Sequence, residues 1–404
     1  MGRREYTMGI GEVCMKKIWS FILMGVLCLG LIACGSSDKR AEKPAETAAA
    51  GEITEDAAEV VTGTAVPVDA EQDAESGGFE YKKIYEYPEP TVLNSQAPVD
   101  NLNYVEGTVP KIAFMPAGLE YTYYQAVGVG VEAAAKELGA EVVTLAPMSG
   151  SDINTQVGMV QDAITMGVNV ILLNPHDDAA LAPVITEAIN AGVAVFNLNS
   201  DSLDFEVPLS GVVGYDQYNG NLEQGKMIAE QFQGEELKIG IIEGLPGYHT
   251  VQRCGGFEEG IKDHQNYEIV SRVNGSWTVD GGNTACMDMV QANPEINMIY
   301  CANDQEAEGA YMALKMLNRT DIILIANDGD TEFLEMIYDG NGYSTLNTVP
   351  YEMGLYACQA AVDILYGKFE GGWVQTPGYV TTKDNVLDFL QQPERLSPQP
   401  SKEY

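Results

Sequence analysis

The chain has 404 residues, enough for two or three domains, and 45% of them are hydrophobic, which allows substantial cores. Its formal charge of -37 excludes nucleic acid as a partner and excludes an electrostatic grip on anionic lipid headgroups. Three histidines, His176, His249 and His264, lie far apart without ligand spacing, so neither a metal nor another cofactor is implied.

The first segment carries an address. Lys16 and Lys17 precede an apolar run from Ile18 to Leu29, and Leu31-Ile32-Ala33-Cys34 follows. A charged start, a short apolar stretch and small residues before a cut are the parts of a secretory signal, and the run is short for a ~20-residue membrane span. The cut at a cysteine resembles the bacterial lipoprotein lipobox. That resemblance implies that residues 1–33 are a signal peptide, with Met15 as the natural start, and that Cys34 is acylated and becomes the first mature residue. The protein is then expected outside the cell membrane, held to its outer face by lipid.

Residues 34–109 read as an acidic tether. Ala48 to Ala50, scattered carboxylates such as Glu52, Glu55, Asp56, Asp69 and Asp73, and Gly77-Gly78 offer little apolar surface to offset ordering entropy. Toward its end Tyr81, Tyr85, Tyr87 and Tyr104 appear among Pro88, Pro90 and Pro98. These aromatics fit either a loose linker or an arm packed on the folded domain.

From Lys111 onward short β-rich runs alternate with helical segments. The runs are Ile112 to Met115, Val142 to Leu145, Val170 to Leu173, Val193 to Leu198, Ile239 to Ile242, Ile296 to Tyr300 and Ile322 to Ala326. Helical stretches such as Gln125 to Leu138, closed by Gly139, and Leu181 to Asn190, closed by Gly192, lie between them. Near-continuous apolar strands in a βαβ rhythm predict parallel sheets covered on both faces. The rhythm restarts after Gly211 to Gly214, so two similar α/β lobes are expected, with a closed eight-stranded barrel as the competing architecture. Cys254, Cys286, Cys301 and Cys358 show no Cys-x-x-Cys spacing and are expected to be buried free thiols.

Ligands in open α/β sheets bind beyond the carboxyl ends of the strands. At those positions stand Tyr121, Tyr123 and Tyr124, then Asn199, Ser200 and Asp201, then Trp277, Asn303, Asp304, Asn327 and Asp328. Carboxylates and amides match hydroxyls that both donate and accept, and aromatic faces match the apolar face of a sugar ring. Singly, Asp304 and Asp328 also fit helix N-caps, and the group His176, Asp177 and Asp178 fits a helix start.

Together these motifs resemble the type I periplasmic-binding-protein family, in its ribose and galactose branch. The likeness covers roughly Val109 to Leu390. It rests on Lys111-Ile-Ala-Phe with Tyr123 and Tyr124 downstream, Leu172-Leu-Asn-Pro, Arg253 through Gly256 and Phe257, Ala302-Asn-Asp, and Asn327-Asp-Gly. It implies two lobes joined by a three-crossing hinge, the first about 110–214 and 349–377 and the second about 215–348 and 378–390, with 391–404 as a tail. It also implies ligand contacts at Tyr121, Tyr123, Tyr124, Asn199, Trp277, Asn303, Asp328 and Thr348. Where relatives carry Asp and Arg after the fourth strand, this chain has Asn199 and Ser200. Only Arg253 remains of two arginines before the Gly-Phe; Val251 falls at the implied ligand position and Arg253 reads as structural.

The function implied is an extracytoplasmic receptor that closes over a small sugar-like molecule and delivers it, as a monomer, to an ABC permease. A sensory subunit for a chemoreceptor or kinase would use the same binding chemistry. An enzyme is not expected: Gly128-x-Gly130 sits inside a predicted helix without a following glycine, and no Gly-x-x-x-x-Gly-Lys-Ser/Thr or Gly-x-Ser-x-Gly segment exists. A DNA-binding regulator of similar shape would need a basic helix-turn-helix where the acidic segment lies.

Overall fold

A computed structural model describes residues 79–150 and 152–404. The leader, Cys34 and the tether up to residue 78 lie outside the described residues. Among those described, no helix is long and apolar enough to cross a membrane.

The first lobe contains β1 (Lys111–Met115), α1 (Thr122–Leu138), β2 (Glu141–Thr144), α2 (Ile153–Met166), β3 (Val170–Leu173), α3 (Asp178–Asn190), β4 (Ala194–Leu198) and β5 (Gly211–Gly214). The second contains α4 (Gln217–Gln231), β6 (Leu237–Glu243), α5 (Tyr248–Ile261), β7 (Tyr267–Asn274), α6 (Val279–Ala292), β8 (Met298–Cys301), α7 (Asp304–Leu317), β9 (Ile323–Asp328), α8 (Thr331–Asp339) and β10 (Ser344–Asn347). The chain then returns to the first lobe for α9 (Pro350–Leu365) and β11 (Trp373–Gln375), and crosses again for β12 (Tyr379–Thr382) and α10 (Leu387–Leu390).

Two open six-stranded sheets result, ordered β11-β5-β4-β3-β1-β2 and β12-β10-β9-β8-β6-β7. All neighbours are parallel except β12, which runs antiparallel to β10. The closed barrel is therefore ruled out, and the two-lobe expectation with three crossings, at 215–216, 348–349 and 376–378, holds. The apolar runs left out β5, β7 and the three late strands, which are short or alternate with polar residues, although Trp277 was expected to follow a strand. Val170–Leu173 and Met298–Cys301, by contrast, are buried throughout.

Each sheet is covered on both faces. In the first lobe α1 and α9 pack over Ile112, Phe114, Leu172 and Phe196, while α2 and α3 cover Ala113, Met115, Ile171 and Val195. Gly130 shows why glycine stands inside α1: a Cβ there would lie 2.1 Å from the Tyr351 carbonyl oxygen, so it permits the close approach of α9 rather than cradling a phosphate. The four cysteines are free and buried.

The tether expectation needs correction from Phe79 onward, where the arm alternative applies. Asp363, buried on α9, accepts hydrogen bonds from Tyr81 Oη (3.0 Å), Tyr87 Oη (2.5 Å) and Lys83 Nζ (2.7 Å). Gln359 Oε1 accepts from the amides of Ile84 and Tyr85. Farther along, Asn94 and Ala97 donate their amides to the carbonyls of Leu203 and Leu209. Burying a carboxylate without partners is costly, and the arm supplies three. The tail beyond 390 packs as well: Thr331 donates to the Pro398 carbonyl, and Leu396 and Tyr404 lie against the second core.

Candidate functional site

Both sheets direct the carboxyl ends of their strands toward one cleft, and a cavity of about 400 Å³ lies there. Its wall takes residues that follow β1, β3 and β4 in one lobe and β6, β7, β8 and β9 in the other. Seven of the eight expected positions line it: Tyr121, Tyr123, Tyr124, Asn199, Trp277, Asn303 and Asp328. Thr348 does not. It sits behind the wall at a crossing, 3.1 Å from Tyr123 Oη, and donates to the Asp328 carbonyl.

The tyrosines come from the start of α1, where Tyr123 and Tyr124 pack edge to face with centroids 5.3 Å apart. Asn199 ties them together, accepting from Tyr123 Oη (3.1 Å) and donating to Tyr124 Oη (3.2 Å). Burial pushes both phenols up, so they remain protonated donors at any ordinary pH.

Trp277 faces them from the second lobe. The ring lies flat over Gly244, where a Cβ would sit 2.1 Å from its carbons. Ser276 and Trp277 both adopt left-handed backbone, held by Asn274 Oδ1 accepting from the Ser276 amide and Glu306 Oε1 accepting from the Trp277 amide. Asn199 (φ 56°) and Asp328 (φ 145°) are also at positive φ, so three of the six such non-glycine residues described line the cavity. Strain of this kind persists where surrounding bonds over-determine it, and it clusters at ligand sites.

The floor is ionic. Arg253 Nη1 lies 3.0 Å from Asp328 Oδ1 and donates also to the Ala302 carbonyl, with both side chains buried. Burial works against the guanidinium, yet Tyr215 and Asp328 outweigh it and hold Arg253 charged. Burial pushes Asp328 up to about 6, with Arg253 opposing the rise, so the carboxylate is ionised at neutral pH. Asp304, pushed up to about 7 by burial and by Asp328, accepts from the amides of Gly329 and Asp330 and from Thr345, fixing the turn that carries Asp328.

Three sequence readings change here. Arg253 is a cavity residue, not only a structural one. Val251 is 66% exposed and outside the cavity; His249 lines it instead. Residues 249 and 253 share one helix face at i, i+4 spacing whereas 251 points away, so helical periodicity held the missed signal. Burial, with Arg253 adding to it, lowers His249 to about 3 and keeps it neutral. Gln217 Nε2 faces the Asp201 carboxylate and the Asn199 carbonyl, so its Oε1 faces His249 Nδ1 at 2.9 Å and must accept. That places the proton on Nδ1 and leaves Nε2 an acceptor. The third change is an N-cap: Asn303 caps α7, accepting from the Glu306 amide, while Asp304 and Asp328 cap nothing.

Hydrogen bonds also span the lobes at the cleft rim, among them Tyr248 Oη donating to Asp201 (3.0 Å) and Thr122 donating to Asp330 (2.6 Å). Aromatic faces, amides and carboxylates converging from two hinged bodies can enclose a small polyhydroxylated molecule.

The chain is similar in sequence and fold to known proteins. The chain is 27% identical over 305 residues to the D-ribose/D-allose-binding protein of Pseudomonas aeruginosa, covering 72% of this chain and 95% of that one. It is 28% identical over 250 residues to the ribose import binding protein of Bacillus subtilis, covering 62% and 80%. A solved ABC transporter solute binding protein from Mycobacterium smegmatis with bound glycerol superposes with a TM-score of 0.66 at 28% identity, covering 73% of this chain and all of that one. The periplasmic binding protein domain family matches residues 112–369, and the chain belongs to that family.

Proposed function

We propose that this protein is an extracytoplasmic solute-binding lipoprotein that captures a small sugar or sugar-like molecule between its lobes and delivers it to an ABC importer. The supporting observation is the cleft itself: Tyr123, Tyr124 and Trp277 offer ring faces while Asn199, Asn303 and Asp328 offer hydrogen bonds, from two bodies joined by three crossings. The relatives are named as binding proteins for ribose, allose and apiose, which are polyols of the size this chemistry suits. Ligand contacts made in both lobes favour the closed arrangement by their differential affinity.

Cys34 supplies the membrane attachment in this reading, and the acidic segment after it lets the receptor reach the permease as a monomer. Lipid on Cys34 would hold the chain at a membrane whose anionic headgroups its charge of -37 does not favour.

Thermal unfolding of the full chain against D-ribose, D-allose, D-galactose, L-arabinose, glycerol and myo-inositol tests the binding claim. A ligand present at a hundred times its Kd adds about 2.7 kcal/mol of stability. That raises Tm by roughly 4 °C for a body of this size. No shift with any sugar contradicts the reading. Incorporation of radiolabelled palmitate, lost in Cys34→Ser, tests the anchor.

A further inference from the structure

One part of the cavity is not used by the contacts above. Beyond Asn199 it continues into the first lobe between the turn after β3 and the loop after β4, where Asn174, His176, Asp177, Asp178, Asn197 and Glu206 line it. Asn197 is the informative residue. It projects from β4 beside the cavity at 5% exposure, and its Oδ1 has no hydrogen-bond partner. The neighbouring amides are all engaged: Asn174 Nδ2 on the Leu198 carbonyl, Asn199 on two tyrosines, Asn303 on the Glu306 amide and the Trp277 carbonyl. Buried amides are ordinarily paired, so one left over on a cavity wall points to a ligand group.

The charge around it says which group. Asp177, Asp178 and Glu206 line the same arm, whereas the cavity's one guanidinium, Arg253, is committed to Asp328 and the Ala302 carbonyl. His176 adds no charge, since burial lowers it. Asp178 is pushed up to about 6 by desolvation and by the charges of Asp177 and Glu206, three carboxylates that lack a local cation. The loop bearing Glu206 is not free to move away. Asn94 and Ala97 of the packed arm hold it at Leu203 and Leu209 on either side.

We propose that this arm is a second subsite that takes a positively charged, hydrogen-bond-donating substituent, an ammonium on the sugar-like ligand. The cavity then selects an amino sugar over its neutral parent and disfavours anionic sugars. An ammonium brings three N–H donors and no acceptor, which suits the Asn197 oxygen and the carboxylates. Asp177, Asp178 and Glu206 are all exposed at the mouth, so the preference is screened by salt. The proposal rests on the sugar-binding reading above.

Calorimetric titration of the full chain at pH 7.5 with matched triads tests it: D-galactosamine, D-galactose and D-galacturonate; D-glucosamine, D-glucose and D-glucuronate; and 1-amino-1-deoxy-D-fructose with D-fructose. The result expected is at least one amine bound ten-fold or more tighter than its neutral parent, the uronate weakest, and a smaller ratio in 0.5 M salt. Glu206→Gln, a surface change at the mouth, and Asp178→Asn each lower the amine-to-neutral ratio, and Asn197→Leu lowers it at similar volume. Neutral sugars binding as tightly as their amines, or a ratio unmoved by Glu206→Gln and Asp178→Asn, overturns the subsite and leaves the sugar reading standing. Binding of neither class while a sugar of the earlier panel shifts Tm overturns the subsite alone; binding of neither class with no shift from that panel overturns both.

Discussion

The two walls of the cleft are built from opposite materials. The first lobe presents aromatic rings and neutral amides, Tyr121, Tyr123, Tyr124, Asn197 and Asn199, with its carboxylates only at the mouth. The second lobe presents a buried ion pair, Arg253 with Asp328, over further buried carboxylates at Asp304 and Glu306. A neutral wall adapts cheaply to another ligand, because exchanging an amide strands no charge. An ionic wall is interlocked with the fold, since removing one member leaves the other uncompensated. The comparison teaches that specificity resides mainly in the first lobe, whereas the second couples affinity to stability.

The sharpest way to break that comparison is Asp328→Ala. It leaves Arg253 buried and unpaired, a defect of about 3–5 kcal/mol. Unfolding by denaturant should show a loss of that order, and affinity for a confirmed ligand should fall at least a hundred-fold. A variant that folds and binds normally would show the ion pair to be incidental. Trp277→Ala comes next. Loss of a stacked ring is worth about 0.5–1.5 kcal/mol beyond its buried area, so a ten-fold or greater loss of affinity is expected by calorimetry, with little change in the other wall's selectivity.

Tyr123→Phe probes the first lobe and keeps the ring. Its hydroxyl bridges Asn199 and Thr348, so stability should drop by about 1 kcal/mol while affinity changes less than three-fold. A large affinity loss would mean that the hydroxyl touches ligand directly.

A further effect is pH-dependent. Burial pushes Glu306 up to about 8 from its usual 4.5, and its Oε2 has no partner. Between those values the native chain keeps a proton that the unfolded chain has lost, so stability declines as pH rises from about 4.5 to about 8 and the penalty is constant above. Glu306→Gln removes the penalty and keeps the acceptor for the Trp277 amide. Its Tm should exceed that of the unaltered chain by a few degrees at pH 8.5 and match it near pH 4; the opposite trend would place a charged group beside Glu306.

Much of this was legible in the residues. The apolar runs of β1, β3, β4 and β8 announced strands buried on both faces, and the positions just after them held the aromatics and amides of the cavity. Short strands at the crossings, such as β11 with three residues, carried too little pattern to read. Arg253 was read as structural and His249 was missed because Val251 holds the implied ligand position along the sequence, whereas the helix turns it outward. Thr348 shows the reverse error: a correct neighbourhood, but a hydroxyl consumed by Tyr123 and the Asp328 carbonyl. Asn197 gave no signal at all, since a lone polar residue in an apolar strand reads as a fault in the pattern. The aromatic arm at 79–109 was ambiguous because its partner, Asp363, lies more than 250 residues downstream.

The most direct test of the central claim is a crystal structure of the chain with the best-binding sugar from the titrations. The account predicts the sugar ring between the tyrosines of α1 and Trp277, with ring hydroxyls within hydrogen-bond distance of Asn199, Asn303 and Asp328. A sugar bound outside the cleft, or touching one lobe alone, would contradict it.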